Sequence, residues 1–332
     1  MTTHRSTATR LIHLVTGLVA AAFIGATAYA QTKWDMPTPY IDTEFHTQNI
    51  KMYVEDVKKA TNGQLEVVVH SGQSLIKHPD ILRAVSSGQV NMAEFILSQF
   101  GNEDPMFGAD NLPFVATGYD NAFRFYQAQK PYLEKRLASR GLRLLYSVAW
   151  PGQGIYTKVP LKSIEDLRGT KFRTYSPLTA RFAELLGASP TVLQATDIPQ
   201  AFATNTVQAM ITSSATGVSF KSWEFLKVYY TTSAFHPKNV VVVNERAFQR
   251  LPDNQKKALT SLAAQAEKRG WQMSREREKS GNETLAKNGI MLIEPDAAMK
   301  ATLNKVGEQM LAEWLKTAGA DGAALIKAYR GK

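Results

Sequence analysis

The chain of 332 residues contains no cysteine. That excludes disulfides, thiolate nucleophiles, iron–sulfur clusters and cysteine-based zinc sites. Histidine is scarce, at six residues. The four beyond position 30, His46, His70, His78 and His236, form no HExxH or other close metal-ligand pair. No GxSxG nucleophile elbow occurs. Gly152-Gln153-Gly154 lacks the third glycine of a dinucleotide loop and precedes a strand pattern rather than a helix. These patterns give no reason to expect a metal, a cofactor or a catalytic residue. Internal repeats and low-complexity linkers are also missing. Hydrophobic residues at 44% and charged residues at 20% describe an ordinary globular chain, not a disordered, collagen-like or coiled-coil one.

The charge is +10, from 39 Lys+Arg against 29 Asp+Glu. Basic and acidic residues are interspersed, as in Arg275-Glu276-Arg277-Glu278-Lys279, which is the pattern of a solvated helix face. No nucleic-acid partner is expected. Residues 1–30 carry Arg5 and Arg10 and then no charge until Lys33. The run Leu11 to Thr27 is apolar and ends in the small-x-small triplet Ala28-Tyr29-Ala30, so a signal peptide cleaved near Ala30-Gln31 is expected. The rival is an uncleaved anchor, since the run approaches the minimum for a membrane span. Removing two arginines leaves +8 on the exported chain.

After the leader, short apolar strands alternate with amphipathic helices, which predicts an α/β fold with a largely parallel sheet. Ile50, Tyr53, Val54 and Val57 share one face of a helix over 45–60. Strands are expected near 34–40, 65–69, 90–97, 142–148, 170–175, 191–193, 209–213 and 239–244. Trp150 to Gly154, with two glycines and a proline, suits a crossing between lobes. Ser163 with Asp166 forms a capping box, and Ser176-Pro177 opens a helix as N-cap and N1. Residues 252–288 read as one long helix of about 55 Å, long enough to bridge two lobes.

The segment Lys162-Ser163-Ile164-Glu165-Asp166-Leu167-Arg168-Gly169-Thr170-Lys171-Phe172-Arg173 resembles a motif of the extracytoplasmic solute-binding proteins of tripartite ATP-independent periplasmic (TRAP) transporters, dicarboxylate-binding type. Leu185 to Pro190 and Asp197 to Phe202 resemble its next two motifs. Thr61-Asn62-Gly63, Asn111-Leu112-Pro113-Phe114 and the 239–244 strand followed by the long helix match in order. The resemblance implies a two-lobed periplasmic-binding-protein clamshell with a long helix spanning both lobes. Lobe I would comprise 31–153 plus about 240–270, and lobe II 154–239 plus about 271–332. It also implies that Arg173 pairs with a ligand carboxylate, a role suited to a planar, permanently charged fork. The chain departs from the family where Gln208 and Ala209 replace an acidic residue and a glycine, so ligand identity does not transfer.

Family topology places Glu44 to His46, the turn at Lys77-His78, Phe95, Trp150 to Tyr156, Arg173 and Thr212 to Ser214 at the cleft. The expected ligand-binding set is Arg173, Trp150, Gln153, Tyr156, Phe95, Glu44, His46, Thr212, Ser213 and Ser214. Trp150 either stacks on a flat ligand, with Tyr156 and Phe95 as walls, or buttresses the hinge. His236 is expected simply to end a strand. The function implied is periplasmic capture of a small organic acid, with an aromatic or 2-oxo monocarboxylate favoured over a sugar acid, for delivery to the TRAP membrane permease subunits. The receptor is expected as a monomer, with a dimer through the long helix as the alternative. The competing reading is a secreted α/β enzyme acting on carboxylated substrates.

Overall fold

A computed structural model describes residues 31–331. The expected signal peptide and its cleavage site at Ala30 lie outside the described residues. The chain opens with β1 (Thr32–Pro37), α1 (Phe45–Ala60), β2 (Leu65–His70), α2 (His78–Ser87), β3 (Met92–Ile96), α3 (Tyr119–Ala138) and β4 (Leu142–Ala149). It continues through β5 (Gln153–Thr157), β6 (Lys171–Thr174), α4 (Pro177–Leu185), β7 (Ser189–Val192), α5 (Ile198–Ala203), β8 (Ala209–Ser213), α6 (Ser214–Ser219) and β9 (Val228–Tyr230). Then come β10 (Lys238–Asn244), α7 (Glu245–Gln249), α8 (Asp253–Lys287), β11 (Met291–Ile293) and α9 (Ala297–Arg330).

Three sheets result. In the first, β1 pairs with β2 in parallel; in the second, β10 lies between β3 and β4. In the third, six strands run in the order β11-β9-β5-β8-β6-β7. The sheets are mixed, which corrects the expectation of a largely parallel arrangement. The exceptions are β10, antiparallel to β3 and β4, and β5, antiparallel to β8 and β9. Each of these strands is entered by a crossing from the other lobe, and the crossings reverse direction relative to the local βαβ turns. The crossings also zip to one another: Trp150 N donates to Pro237 O at 2.8 Å, Gln153 N to Phe235 O at 3.0 Å, and Ala234 N to Gln153 O at 3.0 Å.

Helix α8 is 35 residues long and packs on α1 and β4 at one end and on α6 and β11 at the other, so it ties the lobes as the sequence predicts. Its two glycines mark the closest approaches. A methyl group at Gly270 would fall on the Val148 side chain, and one at Gly281 on Ser214. Close packing, not backbone freedom, explains glycine inside this helix. The C-terminal helix α9 has no counterpart in the sequence reading. It kinks at Gly319 (φ 59°, ψ −141°) and packs against α3, α4 and the turns around 105–111. Arg181 forks onto Glu313 at 2.9 and 2.8 Å, Trp314 donates to the Pro105 carbonyl at 2.8 Å, and Phe125 meets Tyr329 edge-on at 5.2 Å.

Candidate ligand-binding site

Arg173 sits at the centre of β6, 2% exposed, between Phe172 and Thr174. Strand alternation turns Phe172 into the lobe core and Arg173 and Tyr175 to the opposite face. The guanidinium donates to the Leu193 carbonyl through Nε (3.1 Å) and Nη2 (3.0 Å), and to the Ile211 carbonyl through Nη1 (3.4 Å). It lies 5.3 Å from the Tyr175 ring centroid. Among the described residues it has no ion-pair partner. Burial lowers its pKa to about 10, so it stays protonated at neutral pH. An unpaired buried cation is an expensive arrangement that an incoming anion relieves.

A small cavity opens beside this guanidinium. Four expected residues line it: Arg173, Trp150, Gln153 and Thr212. Trp150 borders the cavity and also packs into the core behind it. One side faces the cavity; the other packs on His46 (4.3 Å), Tyr40 (5.0 Å) and Phe45 (5.4 Å). Its Nε1 donates to Asn239 Oδ1 at 2.8 Å, an oxygen that also accepts from Tyr40 Oη at 3.2 Å. Asn239 Nδ2 in turn donates to Glu94 Oε1 at 2.9 Å, and Thr38 Oγ1 donates to Glu94 Oε2 at 2.6 Å. Gln153 is equally fixed, donating to the Pro151 carbonyl at 2.8 Å and accepting from Tyr175 Oη at 3.1 Å.

The other six expected residues do not line the cavity. Phe95 packs on Phe100 at 5.2 Å in the core, because alternation along β3 turns its neighbours Glu94 and Ile96 toward the site. Tyr156 lies on the face of β5 opposite Gln153, stacked on Tyr229 at 4.2 Å, and donates to the Ser213 carbonyl at 3.2 Å. Ser213 caps α6 through Thr216 N (3.2 Å), and Ser214 reaches the Glu278 carbonyl (3.4 Å). His46 supports Trp150 from behind and lies 3.4 Å from Glu94. Glu44 accepts from Phe45 N at 3.2 Å and from Ser219 Oγ at 2.6 Å, joining α1 to α6; burial raises its pKa.

The sequence did not single out Tyr40, Ile96, Gln99, Tyr175, Gln194, Ala195, Thr216 or Pro237, all of which line the site. Only Tyr175 carried a usable signal, its two-residue offset from Arg173 on one strand. Gln99 Oε1 is buried there without a partner. His78, which belongs to an expected cleft turn, lines the cavity and is pinned at both ring nitrogens. Ile96 N donates to Nε2 at 3.4 Å, so Nδ1 carries the proton and donates to Gln194 Oε1 at 2.7 Å. Burial lowers the His78 pKa to about 4 and keeps the ring neutral. His236, expected to end a strand, instead lies in the crossing between β9 and β10, where its Nδ1 is 3.1 Å from the Trp150 carbonyl. No group of three or more metal-ligating side chains occurs among the described residues.

A family profile described as bacterial extracellular solute-binding protein, family 7, matches residues 41–317. The crystal structure of DctP6, an extracytoplasmic solute receptor of Bordetella pertussis that binds pyroglutamic acid, superposes with a TM-score of 0.89. It is 48% identical and covers 91% of this chain and 100% of that one. A marine-metagenome TRAP solute-binding protein specific for pyroglutamate also gives 0.89, at 38% identity, over 91% and 100% of the two chains. A solute-binding protein of Albidiferax ferrireducens is 26% identical over 275 residues, 78% of this chain and 80% of that protein. These relatives are receptors, not enzymes, which removes the secreted-enzyme reading. With a two-lobed α/β fold, a helix tying both lobes and a family match over most of its length, the chain belongs to the family 7 bacterial extracellular solute-binding proteins, the extracytoplasmic receptors of TRAP transporters.

Proposed function

We propose that this receptor binds pyroglutamate, or a closely similar five-membered lactam acid, with Arg173 gripping the carboxylate. The observation that carries the reading is the buried guanidinium, without an ion-pair partner among the described residues, set in a small cavity. Two relatives with well over a third of their residues in common bind this acid, which supports the same choice here. The walls fit it: Trp150, Tyr40, Ile96 and Pro237 are apolar surfaces for a flat ring. Gln99 Oε1, buried and unpaired, is an acceptor for a lactam N–H. The Gln194 amide, held through its oxygen by His78, has its N–H groups free for a lactam carbonyl. A lactam monocarboxylate keeps the expectation of a small organic acid but replaces the aromatic or 2-oxo acid favoured from sequence.

The remaining expectations join this proposal. Residues 1–30 serve as a signal peptide cleaved at Ala30-Gln31, placing the receptor in the periplasm. The lobes comprise 31–153 plus about 240–270 and 154–239 plus about 271–332, with the far end of α9 reaching back to α3. The receptor works as a monomer and hands its ligand to the permease subunits. Titration calorimetry of ligand-stripped protein with L-pyroglutamate, L-proline, succinate and galacturonate tests the ligand. Tight, stoichiometric binding of pyroglutamate alone is expected. Equal binding of proline, which lacks the lactam carbonyl, or tight binding of galacturonate overturns the reading.

A further inference from the structure

A second, smaller cavity lies beneath the crossing strands, apart from the ligand site. Apolar side chains including Leu112, Val115 and Phe125 line it together with three polar groups: Asp110, His236 and Lys238. Asp110 and Lys238 form an ion pair at 3.2 Å with both side chains 1% exposed. All of this pairing falls on one carboxylate oxygen, since Oδ2 also accepts from Lys238 N at 2.8 Å. Asp110 Oδ1 has no partner. His236 gives its Nδ1 proton to the Trp150 carbonyl, which leaves Nε2 as a lone-pair acceptor, likewise buried and unpaired. Lys238 has three N–H donors and spends one on Asp110.

Two orphaned acceptors and a cation with donors to spare therefore belong to residues that line one small cavity. A molecule that satisfies them donates twice and accepts once. Water does this with a single heavy atom. A metal cation is repelled by the ammonium, and chloride finds no donor at His236 Nε2 and a carboxylate beside it. The cavity offers about 10 Å³ to the centre of a water molecule, which is roughly what one water requires. We propose that this cavity is a one-water binding site built into the hinge, the water donating to Asp110 Oδ1 and His236 Nε2 and accepting from Lys238 Nζ.

The location gives the site its purpose. His236 and Lys238 flank Pro237, whose carbonyl accepts from Trp150 N, while Asp110 belongs to the turns at 105–111. The water joins those turns to the second crossing at the point where the two crossings pair. It also completes the solvation of a buried ion pair that would otherwise be half satisfied. The fulcrum on which the lobes move, and the backbone that carries Trp150 into the ligand cavity, are fixed together.

High-resolution crystallography of the protein and water-oxygen relaxation dispersion in solution test the site. Density for one water within hydrogen-bonding distance of all three groups is expected. The Asp110→Leu/Lys238→Met double variant replaces two of the three polar groups with apolar side chains of similar size, and should show one fewer long-lived water. An empty cavity, an anomalous signal from chloride or a metal, or an unchanged count of long-lived waters in the double variant overturns the proposal. The crystallographic result decides the matter by itself if the double variant fails to fold.

Discussion

His78 Nδ1 and Gln194 Oε1 meet at 2.7 Å across the ligand cavity, joining the start of α2 to the loop after β7. A parallel contact, Gln73 Nε2 to Thr196 Oγ1 at 2.6 Å, lies beside it. These bonds close the cleft and also orient the Gln194 amide. His78→Ala should therefore weaken ligand binding by about fivefold, as loss of one such bond costs about 1 kcal/mol. Stopped-flow measurements should place the change in the dissociation rate, because the contact forms only after the lobes meet.

Arg173 separates stability from affinity. Replacing it by methionine removes a buried cation that has no acidic partner, so the melting temperature of the ligand-free protein should hold or rise. The same variant should lose ligand-induced thermal stabilisation entirely, equivalent to about 3–5 kcal/mol of binding. Arg173→Lys retains charge but not the two-pronged geometry, and should bind with intermediate affinity. Thermal melts with and without ligand check all three statements.

Two buried histidines set the response to acid. His78 and His236 each have a pKa lowered from 6.5 to about 4 by burial. The cations Arg173 beside His78, and Lys238 and Arg275 beside His236, push the same way. Between these values the unfolded chain takes up protons that the folded chain refuses. Stability is full above about pH 6.5 and falls as pH drops toward about 4, by up to about 3 kcal/mol per histidine. Glu44, whose pKa burial raises, acts in the opposite sense. Urea unfolding between pH 7.5 and 4.5 should show the loss, and His78→Gln should flatten it.

Gly154 tests the hinge. A methyl group there would fall on the Tyr229 ring and the Tyr230 carbonyl oxygen. Gly154→Ala should cost about 1–3 kcal/mol as β5 and β9 are forced apart. Denaturant melts of the ligand-free protein measure it directly.

Much of the fold was legible in order along the chain. The face formed by Ile50, Tyr53, Val54 and Val57 gave α1, and the run from 252 to 288 gave α8 nearly to the residue. Strand direction was not legible, since β5 and β10 show the same apolar character as their neighbours and only the crossings reverse them. The site divided along strand alternation. Strands such as β3, β5 and β8 are buried on both faces, so their sequences carry no polar stripe to mark the cavity side. Phe95 and Tyr156 accordingly fell one position out of phase with the lining residues.

The sequence by itself determined the α/β architecture, the bridging helix and the place of Arg173 in the family motif, because periodicity and motif are local properties of contiguous residues. Only the tertiary structure decided that Arg173 makes no ion pair among the described residues, and that Tyr40, Gln99, Gln194 and Pro237 surround it. These residues come from segments far apart in the chain, and a cavity exists only where folding brings such segments face to face.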